Sequence, residues 1–377
     1  MPSRKICFVL TVEFAVKAFL LSHLRALTKI YDVTVIVNTN NPNFLLEHGI
    51  NAKVIALDIT RKIGLFSDLV ALVKLVKIFS QQRFSAVHSI TPKAGLLAML
   101  AAYMARVPLR IHTFTGQIWV IKTGFKRYFL KQIDCLIAFL STHNLVDSPS
   151  QCEFLLHENV ISSTKSTVLA KGSISGVDIS RFKPDLVAKS SIRQELNITD
   201  DAILFLFLGR LTVDKGLLDL AKAFGELNFA NAHLLFVGPD EQVLQAEITR
   251  LAGESNINIQ FIGHTNTPEI FMAAADVLCL PSYREGFGSV VIEAASVGIP
   301  AIASRIYGIT DAVEDNETGL LHAPRDIDAI KKCLQNMLDN PTLRLKLGQQ
   351  AQTRAIKDFN SHLITQTWVD FYRKNLP

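Results

Sequence analysis

The chain lacks several features that define common classes of protein. Its five cysteines are spread over 377 residues and form no Cys-x-x-Cys pair. We therefore expect neither a disulfide framework nor a zinc site, and a reducing cytoplasm fits this composition. The longest apolar run, near residues 95–105, is shorter than the ~20 residues of a membrane-spanning helix.

The amino terminus lacks the marks of a secretory signal. Basic residues precede an apolar run there, but Glu13 and Lys17 follow that run at once and no small-residue cleavage site is present. We predict that Lys5–Val12 is a buried strand.

Two nucleotide-binding signatures are also missing. No GxxxxGK[ST] loop occurs in the chain, which excludes a P-loop NTPase. No GxGxxG follows the first predicted strand, which argues against an NAD-dependent oxidoreductase. A tandem repeat of about 20–50 residues, typical of solenoids, is absent as well.

Metal-binding patterns are scarce. Asp326-Ile327-Asp328 could hold a metal, but it follows Pro324 and opens a helical pattern, where acidic residues cap a helix and complement its dipole. We therefore predict that Asp326 and Asp328 belong to a helix start and that the protein needs no metal or other cofactor.

The formal charge of +5 is unevenly distributed. Residues 1–180 contain 20 Lys and Arg against 10 Asp and Glu, whereas acidic residues outnumber basic ones in the remainder. A basic half suggests an anionic surface or substrate. Nucleic acid, anionic lipid and a merely solvated surface are the alternatives.

Short apolar runs alternate with helical patterns through both halves, which predicts βαβ units and parallel sheets. The predicted strands are Lys5–Val12, Tyr31–Asn38, Ala52–Asp58, Ala86–Ile90, Arg110–Thr115, Leu136–Leu140, Ala202–Leu208, His233–Val237, Ile259–Ile262, Val277–Leu280 and Ala301–Ala303. The predicted helices are Lys17–Lys29, Phe66–Gln82, Lys93–Arg106, Leu217–Leu227, Glu241–Ala252, Glu269–Ala274, Ser289–Ser296, Ile327–Leu338 and Leu343–Lys357.

The length predicts two domains. We place an N-terminal Rossmann-like domain at 1–172 and a second one at 187–357. The Gly-, Ser- and Pro-rich segment between them predicts a linker at 173–186, and 358–377 is predicted to be a helix that can pack back on the first domain.

The first chemical motif follows the strand Ala202–Leu208. Gly209 and Gly216 let the backbone approach a ligand closely, and the start of the next helix carries free N–H groups and positive dipole charge. Arg210 and Lys215 add two full charges, so the segment suits a diphosphate. An ordinary strand–turn–helix with two exposed cations is the alternative.

The second motif is the segment 285–293, which follows the strand ending at Leu280. Gly286 and Gly288 free backbone N–H groups at a helix start, and Glu285 lies on the loop. Glu293 lies in an apolar, small-residue stretch and needs a polar partner, because an unpaired buried charge is costly. Ribose hydroxyls would be suitable partners.

Together these segments resemble the retaining glycosyltransferases of family 4, which have the GT-B fold. The resemblance is carried by 209–216, by Glu285 and Glu293 with seven residues between them, and by Gly172–Asp178 with Phe182 and Pro184; Gly298–Pro300 and Asn316–Leu320 match later motifs. It implies two doubly wound domains facing each other across a cleft.

The resemblance also implies roles for site residues. Arg210 and Lys215 would bind the donor diphosphate, Glu285 the donor sugar and Glu293 the ribose, with Glu285, Arg210 and Lys215 as the catalytic set. The donor-binding residues would be Gly209, Arg210, Lys215, Glu285, Gly286, Phe287, Gly288, Ser289 and Glu293.

The front half departs from the family pattern. Thr11–Val16 contains no glycine where relatives have a pair, and the position aligned with a histidine of relatives is Thr115. His112 is offset by three residues, which points to the other face of a strand. We assign Thr115, Gly116, Gln117 and His112 to the acceptor side and leave open which of His112 and Thr115 takes part in catalysis.

The segment 112–119 is similar to enzymes acting on undecaprenyl-diphosphate-linked sugars. The resemblance thus implies transfer of a hexose or N-acetylhexosamine from a UDP-sugar to a lipid-linked sugar acceptor, in bacterial surface glycan or glycoprotein oligosaccharide assembly. The alternatives are a glycoside hydrolase with paired carboxylates and a non-catalytic nucleotide-sugar or lipid-binding protein.

Two helical patterns in the front half interleave basic and apolar residues, which is typical of helices on anionic lipid. The residues are Lys74, Lys77 and Arg83 on one, and Lys122, Phe125, Lys126, Arg127, Tyr128, Phe129, Leu130 and Lys131 on the other. We expect a cytoplasmic protein bound peripherally to the inner leaflet, with no nucleic-acid partner. Alternatively, both helices only cover the sheet.

Overall fold

The computed structural model describes residues 4–59, 64–227, 231–253 and 258–376. The chain divides into two compact units: Met1–Ser175 with Ser361–Pro377, and Gly176–Asn360. Each is an α/β unit with a parallel sheet, so the predicted fold class of two doubly wound domains is confirmed.

The first unit contains a seven-stranded sheet in the order β3-β2-β1-β4-β5-β6-β7 within its described residues. Its strands are β1 (Lys5–Val12), β2 (Asp32–Asn38), β3 (Lys53–Ala56), β4 (Ala86–Ser89), β5 (Leu109–Phe114), β6 (His143–Val146) and β7 (Ser166–Val168). Its helices are α1 (Glu13–Phe19), α2 (Leu21–Leu27), α3 (Phe44–Glu47), α4 (Leu65–Gln82), α5 (Pro92–Met104), α6 (Gly124–Leu140) and α7 (Pro149–His157).

Both faces of this sheet are covered, so residues on both faces of its central strands β1, β4 and β5 are buried. In β1, Phe8 packs into one core with α1, α2 and the C-terminal helix, whereas Val9 packs into the other with α4, α5 and α6. The alternation follows the two-residue period of a strand.

The second unit contains a six-stranded sheet in the order β10-β9-β8-β11-β12-β13, counted over the residues described. Its strands are β8 (Ile203–Leu208), β9 (Ala232–Val237), β10 (Ile259–Ile262), β11 (Val277–Leu280), β12 (Ala301–Ser304) and β13 (Gly319–His322). Its helices are α8 (Leu186–Glu195), α9 (Leu217–Gly225), α10 (Gln245–Ala252), α11 (Pro268–Ala274), α12 (Ser289–Val297), α13 (Ile309–Ala312), α14 (Ile327–Asp339) and α15 (Pro341–Asp358).

Several predicted elements were wrong. Leu136–Leu140, predicted as a strand, ends α6, because a short apolar run fits a buried helix as well as a strand. Lys17–Lys29 is split between α1 and α2. The short strands β6, β7 and β13 were missed, and α10 begins only at Gln245, after the Asp240 carboxylate has accepted a hydrogen bond from the Leu244 N–H at 2.9 Å.

The predicted linker 173–186 is also wrong for most of its length. Residues from Gly176 onward belong to the second unit, where Val177 forms a β-bridge to Asn360 and Phe182 is buried. The C-terminal helix α16 (Ser361–Asn375) belongs to the first unit. Its residues Trp368 and Tyr372 are buried in the hydrophobic core of that unit. The chain therefore crosses between units near 175 and again near 360.

Candidate functional site

The two predicted donor motifs lie at the carboxyl ends of two adjacent strands. β8 and β11 are hydrogen-bonded neighbours at the centre of the second sheet, where the strand order changes direction. Ligands of open α/β sheets bind at this kind of switch point. Residues 209–216 follow β8, and residues 281–288 follow β11.

Gly216 brings the two motifs into backbone contact. It has a φ of 70° and precedes α9, and a Cβ built on it would lie 2.0 Å from the Pro281 carbonyl oxygen. A side chain at this position would therefore force the segments apart. The Tyr283 N–H also donates to the Asp214 carbonyl oxygen at 2.9 Å.

The structure places Lys215 and Glu285, two of the predicted site residues, next to each other. The Lys215 ammonium forms an ion pair with Glu285 Oε1, and both side chains are mostly buried. The Ser282 hydroxyl donates to the same oxygen at 2.8 Å. An ammonium and a carboxylate fixed next to each other could bind a phosphate and a sugar hydroxyl at neighbouring positions.

A second ion pair lies beside the first. Arg284 binds Asp214 at 2.8 Å, and the Thr212 hydroxyl donates to the Asp214 carboxylate at 2.6 Å. Burial raises the pKa of Asp214, but the Thr212 hydrogen bond and the cations Arg284, Lys215 and Arg210 lower it below its ordinary value. Sequence reasoning missed Asp214 and Arg284, although each directly precedes a predicted site residue.

Arg210 is part of this charged cluster but has a different partner. Its guanidinium binds the Glu241 carboxylate at 2.8 Å, and both side chains are about 40% exposed. Glu241 lies in the loop after β9, so a third segment contributes to the site. The pair is solvated enough for a diphosphate to compete for Arg210.

The remaining predicted donor residues form the start of α12. Gly288 precedes the helix with a φ of 82°, and Ser289 is its first residue. Gly286 is held close to Gly308, where an added Cβ would lie 2.3 Å from the Gly286 oxygen. The Phe287 side chain is buried against Phe359, so only its backbone could serve a ligand.

Glu293 lies on the partly exposed side of α12. Burial raises its pKa to about 7; Arg181 lowers the value and Glu269 raises it. Among the described residues, no hydrogen bond or ion pair reaches its carboxylate. Glu293 is therefore a carboxylate available to hydroxyl donors, near an Arg181–Glu269 pair that the sequence did not indicate.

His112 does not reach the end of its strand. It is buried in β5, where its Nδ1 lies 2.8 Å from the Ser89 hydroxyl and its ring packs against Gly95. Burial lowers its pKa to about 3. Thr115 and Gly116 follow β5 and are partly exposed. Of His112 and Thr115, the two residues left open for catalysis, only Thr115 lies at the carboxyl end of the strand.

Gln117 is buried rather than presented to a ligand. Its Nε2 donates to the Thr115 carbonyl oxygen at 2.5 Å, and Gln151 Nε2 donates to the same oxygen at 2.6 Å. These bonds fix the loop after β5, so the Gln117 side chain has a structural role there.

Asp326 caps α14, as predicted: its carboxylate accepts a hydrogen bond from the Ala329 N–H at 2.9 Å. Within 4–59, 64–227, 231–253 and 258–376, no group of three or more His, Cys, Asp or Glu side chains is arranged to hold a metal ion.

The helices with membrane-binding patterns expose apolar residues, and both pack on α5. We call these residues the apolar stripes: Leu65, Phe66, Leu69 and Val73 on α4, and Phe125, Tyr128 and Phe129 on α6. None of the helices in the described part of the chain combines the length and hydropathy needed to span a bilayer.

Two of the predicted membrane-facing cations have protein partners instead. Arg127 and Lys131 bind Glu158 at 3.1 and 2.6 Å and lie over the Trp119 ring. They join α6 to α7. Lys122 and Lys126 are exposed, as are Lys74 and Lys77 on α4.

Comparison with known proteins identifies the family of this chain. The family model "Glycosyl transferases group 1" matches residues 188–354. The capsular polysaccharide biosynthesis glycosyltransferase CapM of Staphylococcus aureus is 30% identical over 316 residues, which are 83% of this chain and 82% of CapM. The UDP-Gal:alpha-D-GlcNAc-diphosphoundecaprenol alpha-1,3-galactosyltransferase of Escherichia coli is 24% identical, over 88% of this chain and 86% of that enzyme.

Solved structures share the fold. Anabaena HepE, crystallised in complex with UDP and glucose, superposes with a TM-score of 0.81 at 18% identity, covering 98% of this chain and 100% of HepE. The two parallel-sheet units are thus those of the GT-B fold. The family match favours a transferase over the glycoside hydrolase, oxidoreductase and non-catalytic alternatives. The chain belongs to the group 1 glycosyltransferases.

Proposed function

We propose that this glycosyltransferase is a retaining, metal-independent enzyme of family 4 that transfers a hexose or N-acetylhexosamine from a UDP-sugar. The observation that carries the proposal is the Lys215–Glu285 pair at the β8–β11 switch point. The complex of HepE with UDP and glucose and the UDP-Gal donor named for the Escherichia coli relative support a UDP-sugar.

In the proposed reaction, Lys215 and Arg210 bind the donor diphosphate and stabilise the charge that develops as it leaves. Backbone N–H groups at the start of α12 add the positive end of a helix dipole. Glu285 accepts hydrogen bonds from the donor sugar, and Glu293 accepts them from the ribose hydroxyls. These fixed charges replace the metal that other transferases use.

Bond making and breaking take place on one face of the sugar. The acceptor hydroxyl oxygen bonds to the anomeric carbon as the bond from that carbon to the β-phosphate oxygen breaks. The departing oxygen takes the hydroxyl proton, so no protein base is needed. This agrees with the burial of His112, whose depressed pKa and enclosed position suit it poorly to act as a base.

We propose a polyprenyl-diphosphate-linked sugar as acceptor, in bacterial surface glycan or glycoprotein oligosaccharide assembly. CapM and the diphosphoundecaprenol-dependent relative support this class. The apolar stripes on α4 and α6, with exposed lysines beside them, suit a peripheral position on the anionic inner leaflet.

The proposal is tested with a panel of UDP-, GDP- and dTDP-sugars and the free nucleotides. A true donor at high saturation should add a few kcal/mol of apparent stability, and the best ligand is then assayed for transfer to a lipid-linked acceptor. We expect UDP-sugars to stabilise the protein against unfolding more than GDP- or dTDP-sugars do. Protection without transfer to any acceptor would favour a binding protein, and no protection by any nucleotide would reject the proposal.

A further inference from the structure

Two short segments carry the donor-site charges. We call Thr212–Gly216 the lysine segment and Pro281–Glu285 the glutamate segment. They are joined by the hydrogen bond from the Tyr283 N–H to the Asp214 carbonyl oxygen and by close packing of Gly216 on Pro281. The Tyr283 hydroxyl also donates to Asp219 at 2.7 Å, which ties the glutamate segment to α9. The backbones are therefore held in one fixed register.

The charges along this register alternate. Asp214 precedes Lys215 on one segment, and Arg284 precedes Glu285 on the other. Each acid binds the base of the opposite segment, so two ion pairs lie side by side, and all four side chains are about 15–20% exposed. Screening by solvent is weaker here than at an open surface.

Asp214 is held through both its side chain and its backbone. Its carboxylate accepts the Thr212 hydroxyl and binds Arg284, and its backbone oxygen accepts the Tyr283 N–H. The Lys215 and Arg210 charges also act on this carboxylate. Without Arg284, Asp214 would be a negative charge beside the cations assigned to the diphosphate.

We propose that Asp214 and Arg284 are a positioning pair. Arg284 occupies the Asp214 carboxylate, and this leaves Lys215 for Glu285 and for the donor phosphates. Neither residue needs to touch the donor. The inference rests on the proposed function, since it explains how that site keeps its cations available to a nucleoside diphosphate.

Substitution of Arg284 and substitution of Asp214 should impair different properties, namely UDP affinity and turnover. In Arg284→Gln, the released Asp214 carboxylate draws Lys215 away and repels phosphate, so affinity for UDP falls. In Asp214→Asn, the released guanidinium competes for Glu285 while Lys215 stays available, so turnover falls more than UDP affinity.

The decisive variant combines both changes. Calorimetry with UDP should show about tenfold weaker binding for Arg284→Gln, a size typical of coupled neighbouring charges. In Asp214→Asn/Arg284→Gln no free carboxylate remains, so UDP affinity should return to within about threefold of the parent. Arg284→Lys, which keeps the charge, should also bind UDP nearly as well as the parent.

A purely structural role predicts the opposite, because removing both partners cannot restore a lost contact. A double variant as weak as Arg284→Gln, or an Arg284→Gln variant that binds UDP like the parent, overturns the inference. Glu226→Gln/Lys331→Gln removes another pair of the same unit, 3.2 Å apart and outside both segments, and should change nothing. If the parent binds none of UDP, GDP and dTDP, the proposed function fails instead.

Discussion

The two units share one architecture but use the carboxyl edge of their sheets differently. In the second unit the edge carries charges paired between segments, with Lys215, Glu285, Asp214 and Arg284 close to the surface. In the first unit the edge carries paired hydroxyls, such as those of Thr11 and Thr91, 2.5 Å apart, together with the ion pairs Glu13–Lys17 and Asp68–Lys93. The edge of the second unit differs in having two ion pairs side by side at the switch point of its sheet.

Buried histidines are also more numerous in the first unit, which contains His23, His88 and His112, than in the described part of the second, which contains His322. His23 and His88 both stack on Trp368, with ring centroids 4.4 and 4.9 Å from the indole, and they lie within hydrogen-bond distance of Thr365 and Tyr372, respectively. They hold α16 in the first unit through neutral rings. The difference suggests that the second unit is sensitive to loss of charge and the first to gain of charge.

The largest effect should follow removal of a donor-site charge. Lys215→Ala should lower kcat/KM about 100-fold or more, because a group that stabilises developing charge is lost. Lys222→Ala, on the exposed face of α9, is the matched control and should leave the rate unchanged. Arg210→Lys should lower kcat/KM less, since the ammonium keeps the positive charge at a solvated site and loses only the bidentate hydrogen bonds of the guanidinium. Near-parental rates for Lys215→Ala, with folding intact, would contradict the assignment.

Acid should destabilise the first unit before the second. Burial lowers the pKa of His23 to about 4 and that of His112 to about 3, while the unfolded chain takes up these protons near pH 6.5. Stability is therefore full above pH 6.5 and falls as the pH drops toward these folded values, by about 1.4 kcal/mol per pKa unit of difference.

Both tryptophans, Trp119 and Trp368, lie in the first unit, so their fluorescence during urea unfolding follows that unit. The midpoint should fall between pH 7 and 5, and His23→Gln should weaken the dependence. A pH-independent midpoint would show that the rings are not the acid-sensitive groups.

Substitutions of Glu293 and Glu285 should affect nucleotide binding and sugar binding separately. The pKa of Glu293 near 7 means that its carboxylate must lose a proton to accept two ribose hydroxyls, so UDP affinity should rise from pH 6 to 8, up to about tenfold per unit below the pKa. Glu293→Gln should weaken UDP binding and remove this dependence, whereas Glu285→Gln should weaken the sugar nucleotide more than UDP. Calorimetry with both ligands on both variants measures this, and equal losses for UDP would reject the separate roles.

The smallest effect should be on membrane binding by the basic first unit. Co-sedimentation should show binding to anionic but not neutral vesicles, weaker at high salt. Lys122→Gln or Lys126→Gln alone should reduce binding about fivefold, at about 1 kcal/mol per surface cation, and leave UDP binding intact. Arg127 and Lys131 are poor targets because they bind Glu158. Equal binding to both kinds of vesicle would reject the anionic surface.

The sequence alone determined the two parallel-sheet units and most of the donor segments. The strand β8 and the residues Gly209–Gly216 could be predicted because an apolar run, a glycine and two cations lie next to each other in the chain. The local pattern also predicted the cap at Asp326, since capping depends on residues three positions apart.

Only the tertiary structure decided which charges pair. Asp214 and Arg284 are 70 residues apart, and their contact depends on β8 lying beside β11. Likewise, nothing local in 112–117 distinguishes a histidine at a strand end from one buried against Gly95, and nothing in 124–131 indicates that Glu158 binds two of its cations. Burial and long-range pairing depend on how elements pack, whereas helix starts and turns depend on neighbouring residues.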